Sequence, residues 1–361
     1  MTIYLVNIFL ILLWGFGLIY YHPTPKKKMY FCAIASLQWT LISGLRHVSV
    51  GADTEGYLRT FQAVGKRSWK TVLQTFFDVY FRGREPMNSE ENSLYKDTGY
   101  LVFQKFVHIF TDNPQVYLLI VAVIIFAALA YFIYKNSEDP VFSYVLFSVL
   151  FYSFYAITGL RQAIATALVV FIGYEFIKEK KFWKFAIVAL IAYTLHKSVL
   201  VFILFYWISK IKVSWKYIAA LAAVFLVGFA GGPSFILQIA EPFGYTRDDV
   251  YEANTVAYTT VIAIIGLGFV FLFKWIQKQG SYKNAEINAI LLAVVLTFFT
   301  LIDQTMMRVQ QYYALFLMLG IPSALCCFQK RERVLLKSIA YLAMVAYLFS
   351  NHPQYRFFWQ S

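Results

Sequence analysis

An all-α, polytopic membrane protein is the architecture this 361-residue chain implies. Hydrophobic residues make up 60% of it and charged residues 14%. Apolar runs near 20 residues long recur along the whole length, each long enough to cross the hydrocarbon core as a helix. Against that background Arg46, Arg161, His196 and Arg308 stand inside or at the ends of apolar runs. An ionisable group placed there costs several kcal/mol unless something pairs with it, so each marks a functional position by default.

The elements follow in order. The first apolar run, 3–21, has no basic segment before it and no small-residue cleavage site after it, so it reads as a membrane helix and not a removed signal. Further membrane helices are expected at 29–45, 115–135, 140–158, 160–177, 216–232, 256–276, 286–302, 309–328 and 335–350. The run 182–208 is treated as a helical hairpin. A single crossing would leave Lys210, Lys212 and Lys216 outside, whereas two half-helices of roughly 20 Å meeting near His196 return them to the cytoplasm. Irregular backbone at that depth is tolerated where it lines a cavity. The total is about 10–12 membrane helices in one transmembrane domain, 1–361, with outer loops at about 46–114 and 233–255.

Charge sets the orientation. Lys26, Lys27 and Lys28 place the first loop inside, and the later basic loops (Lys178 to Lys184, Lys274 to Lys283, Lys330 to Lys337) then fall inside as well. These segments hold nearly all of the net charge of +13. The excess therefore reports topology and lipid head groups, and nucleic acid is not an expected partner. In the first outer loop, 69–81 and 100–110 are aromatic and amphipathic and read as interfacial helices, joined by a polar, mobile connector at 82–97. The second outer loop carries Glu241, Arg247, Asp248, Asp249 and Glu252. Cys32, Cys326 and Cys327 all lie in apolar stretches, as small hydrophobes do. Nothing in their spacing suggests a disulfide framework or a metal cage.

Four constellations could carry chemistry. In Arg46-His47-Val48-Ser49-Val50-Gly51-Ala52-Asp53-Thr54-Glu55-Gly56-Tyr57, Gly51 permits a turn and Asp53 and Thr54 are suited to cap a helix bearing Tyr57. The bland reading is a capped interfacial helix with Arg46 snorkelling to head groups. The functional one is an arginine on phosphate and a carboxylate base. Gly159-Leu160-Arg161-Gln162-Ala163 starts a helix whose N-terminus attracts anions. The dipole disfavours a structural cation there, while an arginine supplies a bidentate phosphate ligand. Leu195-His196-Lys197-Ser198 puts a histidine at the hairpin apex, either as a satisfied core residue or as a proton carrier. In the run from Asp303 to Tyr313, Asp303 either neutralises Arg308 or leaves it for a ligand. Beyond these, Tyr355 and Arg356 of the outer tail are interface anchors or close the site. Walker loop, dinucleotide fingerprint, zinc spacing and nucleophile elbow are all missing from the sequence. ATP hydrolysis is not expected, so any energy comes from the substrate or an ion gradient.

Taken together, Arg46…Gly51-Ala52-Asp53-Thr54…Tyr57, then Gly159-Leu160-Arg161-Gln162-Ala163-Ile164-Ala165, then Ala192…His196-Lys197-Ser198 and Arg308…Tyr312 resemble the EpsG family, Wzy-type polymerases of bacterial exopolysaccharide, capsule or O-antigen. The resemblance spans nearly the whole chain, with Ala52 where a threonine or similar residue is expected. It implies a multi-pass glycosyltransferase of the plasma membrane, similar to the GT-C class, whose site faces the periplasm or cell exterior. Donor and acceptor are undecaprenyl-pyrophosphate-linked oligosaccharides, and the growing chain moves to the non-reducing end of a new repeat unit. Membrane lipids, a flippase and a chain-length regulator are the implied partners, with no cofactor and no metal ligand. On this reading Arg161, Gln162, Arg308, Tyr312, Arg46 and Tyr57 hold substrate or its pyrophosphate. Asp53 is the base of an inverting displacement, with His196 as the alternative base or a proton donor. An O-antigen ligase would share donor and topology. A lipid-linked sugar flippase would need polar groups at mid-membrane and on both faces. A purely structural membrane partner would need no arginines in apolar runs.

Overall fold

The structure is a computed structural model, and it describes residues 1–83, 97–240, 256–300, 307–350 and 352–360. Its helices are α1 Thr2–Tyr20, α2 Pro25–Gly44, α3 Thr54–Gly65, α4 Trp69–Arg82, α5 Thr98–Val107, α6 Pro114–Asn136, α7 Pro140–Phe151 and α8 Leu160–Lys178. They continue with α9 Phe182–Leu195, α10 Lys197–Ile208, α11 Trp215–Ala240, α12 Val256–Gln277, α13 Lys283–Val295, α14 Met307–Ala314, α15 Leu317–Leu325 and α16 Lys330–Ser350. No strand occurs among the described residues; one isolated antiparallel bridge joins Arg46 and Phe357. The fold is all-α, and the chain is a multi-pass membrane protein. By length and composition α1, α6, α8 and Ala257–Gln277 can each cross a membrane, and shorter apolar helices include α7, α9 and α10. The expected 10–12 membrane helices correspond to these four spans, the shorter apolar helices and helices whose terminal lysines and arginines dilute their apolar content, as in α2 and α16.

Local chemistry explains the helix starts. Pro25, Pro114 and Pro140 each occupy the first turn, where a missing N–H costs nothing. Before them, Thr24, Asn113 and Asp139 accept from Lys27 N at 3.2 Å, Gln115 N at 2.8 Å and Phe142 N at 3.1 Å. The expected break near His196 is where α9 ends: His196 is extended, φ −160° and ψ 116°, and α10 starts at the next residue. Residues 241–255, the greater part of the expected second outer loop, and Asp303 lie outside the described residues.

The chain divides into two compact units, Met1–Leu200 with Ile339–Ser361, and Val201–Ser338. In the first, α2 and α6 pack along their lengths. Trp39 is fully buried between them and α7, stacked on Phe126 at 6.2 Å between ring centroids. Its Nε1 donates to Ser148 Oγ at 3.1 Å, which satisfies the one polar atom of the ring. Truncating such a side chain typically costs about 3–5 kcal/mol.

This unit has two distinguishable ends. At one, Lys28 Nζ donates to the Ser137 carbonyl at 2.7 Å. There Asn136, Glu175 and Lys178 also form a polar knot, with Asn136 Nδ2 donating to Glu175 Oε1 at 2.8 Å and Lys178 Nζ 2.9 Å from the same atom. At the other end, Gln115 Nε2 donates to the carbonyls of Gly44 and Arg46. At 1.5 Å per residue, the 23 residues of α6 separate the ends by about 35 Å.

In the second unit α12 packs on α13. Asn284 and Asn288 side chains hold the Ile211 carbonyl at 2.6 and 2.7 Å. Lys283 and Glu286, both buried, lie 3.3 Å apart and share Ser323.

Candidate active site

Arg46, Arg161 and His196 all lie at the end of the first unit opposite Lys28 and Lys178. Two of them meet on a residue that sequence reasoning assigned to a mobile connector. Asp97, the last residue of that segment, is buried with its side chain 1% exposed. Its Oδ2 lies 3.2 Å from Arg161 Nη1 and 3.0 Å from His196 Nδ1. Its Oδ1 accepts from the Lys197 backbone N–H at 3.2 Å, the first N–H of α10. Residues 84–96 of the connector lie outside the described residues, but for Asp97 the expectation of a mobile residue is corrected. It precedes α5, and its carbonyl accepts from Tyr100 N at 3.0 Å. The reason is close packing: a Cβ on Gly99 would sit 2.5 Å from the Thr194 carbonyl oxygen, so only glycine lets α5 approach the end of α9 this closely. Tyr80 of α4 also donates to that carbonyl, at 3.0 Å.

The electrostatics are self-consistent. Burial raises the Asp97 pKa, but the His196 hydrogen bond, the His196 and Arg161 charges and the Lys197 N–H outweigh it and hold the carboxylate below its ordinary value. Arg161 enters at the start of α8 through Gly159, whose N–H closes a wide turn onto the Phe154 carbonyl at 2.8 Å. Its side chain is 24% exposed, and its guanidinium carbon is 5.8 Å from the Tyr57 ring centroid. The buried Nε of Arg161 has no hydrogen-bond partner. His196 is 12% exposed. The anion that meets the helix start is thus the protein's own carboxylate, with further donor capacity beside it.

The other expected residues fall as follows. Tyr57 is buried on α3 beside Arg161. Gln162 is buried on α8. Arg46 is 0% exposed, its Nε donating to Thr54 Oγ1 at 3.3 Å and its Nη1 to the Ser43 carbonyl. Burial pushes its pKa down to about 10, so it stays a cation at neutral pH. Head-group snorkelling is therefore excluded for Arg46. It is a buried cation under the C-terminal tail, where His47 N donates to the Arg356 carbonyl and Phe358 N to the Leu45 carbonyl, both at 2.9 Å. Tyr355 Oη donates to the Ile42 carbonyl at 2.7 Å.

Asp53 stands at the start of α3 but makes no side-chain cap. Thr54 instead turns its hydroxyl back to the Val50 carbonyl at 2.7 Å. The Gly51 turn is real, with φ at +91°. Arg308 and Tyr312 belong to α14 in the second unit, where Arg308 is half-buried and Tyr312 is fully buried beside Phe202. Among the described residues no group of three His, Cys, Asp or Glu side chains could hold a metal ion.

The model of the EpsG family matches residues 29–359. The chain belongs to the EpsG family. Comparison with curated proteins and with solved structures returns no match. EpsG members are Wzy-type polysaccharide polymerase-like proteins, so membership brings a polysaccharide polymerase-like role in general, of glycosyltransferase type, in polysaccharide biosynthesis at a membrane. The matched span includes Arg46, Tyr57, Asp97, Arg161, Gln162 and His196.

Proposed function

We propose that this protein polymerises lipid-linked repeat units at the outer face of the bacterial plasma membrane. A growing glycan leaves undecaprenyl pyrophosphate and joins the non-reducing end of one new lipid-linked unit, in a single inverting displacement of the GT-C kind. One observation carries the reading: Arg161 and His196 converge on Asp97 at the end of the first unit away from the Lys28 and Lys178 end. A lysine-bearing end retained in the cytoplasm puts the Arg161 end outside.

Arg161 supplies what the leaving group needs. As the glycosidic C–O bond breaks, its electron pair moves onto the pyrophosphate, and a preorganised guanidinium in a site of low dielectric stabilises that charge more than water does. The acceptor hydroxyl must lose its proton in the same step, and His196 or Asp53 takes it. General-base help of this kind is worth about 10²–10⁴-fold. Tyr57 and Gln162 flank Arg161 and line the same end. The reading is tested by replacing Arg161 with alanine in the native host and examining surface and lipid-linked glycans. Single repeat units on the surface are expected. Long chains at the normal level contradict it, and single units trapped in the cytoplasm point to a flippase.

A further inference from the structure

The reading above leaves two candidates for the base, and Asp97 chooses between them. We infer that Asp97 is the positioning residue that makes His196 the proton acceptor of the transfer step, by fixing which ring nitrogen carries the proton. The inference rests on the polymerase reading and adds the division of labour within its site.

A carboxylate that already pairs with a guanidinium and accepts from a backbone N–H offers only acceptor lone pairs to a ring nitrogen 3.0 Å away. Nδ1 of His196 must therefore carry a proton, and the neutral ring then presents Nε2 as its basic nitrogen. The pairing is rigid. Asp97 is pinned at the start of α5, Gly99 is wedged against Thr194, and His196 is extended between α9 and α10. Asp97 itself is ill suited to be the base, because three donors hold it in its anionic form. Asp53 shares none of these three bonds.

The step balances. The acceptor hydroxyl gives its proton to His196 Nε2 as its oxygen bonds to the anomeric carbon. The bond from that carbon to the pyrophosphate oxygen breaks with both electrons going to the pyrophosphate beside Arg161. The imidazolium returns its proton to water, while its positive charge is stabilised throughout by the Asp97 carboxylate. Among the described residues, Asp97 contacts His196 directly, Arg161 meets the same carboxylate, Lys197 follows in the chain, and the Tyr80 phenol reaches the Thr194 carbonyl two positions earlier.

The test uses the full-length protein with purified lipid-linked repeat units, comparing wild type, Asp97→Asn and Asp97→Glu across pH. Removing the carboxylate lowers the pH at which the imidazole gains its second proton. Asp97→Asn is therefore expected to lose at least tenfold in kcat with KM within about twofold, and to shift the acidic limb of kcat to lower pH. Asp97→Glu is expected to recover part of kcat and the original limb. An unmoved limb, whether kcat is kept or lost, overturns the inference while leaving the polymerase reading intact, since that reading is judged on Arg161→Ala. Should Asp97→Asn not fold, nitrogen-15 shifts of His196 in the wild type, assigned against His196→Gln, decide. The Nδ1-protonated ring above the imidazole titration supports the inference, and the Nε2-protonated ring overturns it.

Discussion

Asp97 Oδ2 and Arg161 Nη1 lie 3.2 Å apart although 64 residues separate them in the chain (161 − 97). The pair ties the start of α5 to the start of α8. It also fixes the direction of the guanidinium, leaving the Arg161 Nε as a spare buried donor.

Arg46 and Arg161 are not equivalent. Arg46 is fully buried; its Nε and Nη1 donate to Thr54 and Ser43, which anchors the start of α3, and its buried Nη2 is left over. Arg161 is partly open. Removing one partner of a buried ion pair strands the other, and Arg161→Met does this to Asp97, whereas Arg46 pairs with no carboxylate among the described residues. Arg46→Met is accordingly expected to keep at least tenfold more activity than Arg161→Met, measured as transfer rate on the same lipid-linked substrate. Equal losses would put Arg46 on the substrate.

Two glycines provide a matched pair for the docking of α5. Alanine at Gly99 meets the Thr194 backbone and must push Asp97 away from His196, whereas among the described residues nothing lies within 4 Å of a Cβ at Gly56 on α3. Gly99→Ala should lower kcat at least tenfold. Gly56→Ala should leave it unchanged and stabilise by up to about 1 kcal/mol, the helix propensity difference. Thermal melts and rates on both variants check this.

The pH dependence of stability follows from the depressed Asp97 pKa. A carboxylate that titrates lower when folded stabilises fully above its unfolded value, about 3.9. That contribution is lost as pH falls through the native value. The stability gap between wild type and Asp97→Asn in detergent should therefore shrink below about pH 4, separately from any change across the imidazole titration of His196, whose ring Asp97 also contacts. A gap that stays constant from about pH 5 to 3 would contradict a depressed Asp97 carboxylate.

Orientation can be read by labelling. In a background with Cys32, Cys326 and Cys327 replaced by serine, Lys197→Cys should react with an impermeant maleimide on intact cells. Lys180→Cys, in the turn after α8, should react only once the membrane is opened. Both lysines are exposed. The reverse pattern would place the Arg161 end in the cytoplasm.

Much of the scaffold was legible because apolar run length and proline or Asx starts are local signals. The starts of α2, α6 and α7 follow from them, and the break at His196 follows from where Lys210, Lys212 and Lys216 must fall. Asp97 was not legible as a site residue. Its partners are 64 and 99 positions away, and the polar stretch before it suggested a loop. The one local hint was Asp97-Thr98-Gly99 directly before an amphipathic run, a helix-start pattern that a reading beginning at Tyr100 passed over. Arg46 had been left open between phosphate ligand and snorkelling cation, because sequence cannot show that the C-terminal tail lies over it. Arg308 was grouped with the others on charge alone, and charge does not report which compact unit a residue joins.

The central claim is that a polymerising site is built around Arg161. Its most direct test is elongation by the purified full-length protein in liposomes supplied with lipid-linked repeat units, wild type beside Arg161→Ala. The account expects a ladder of lengthened glycans from the wild type and at least a hundredfold less product from the variant. A ladder of equal intensity from Arg161→Ala would contradict it.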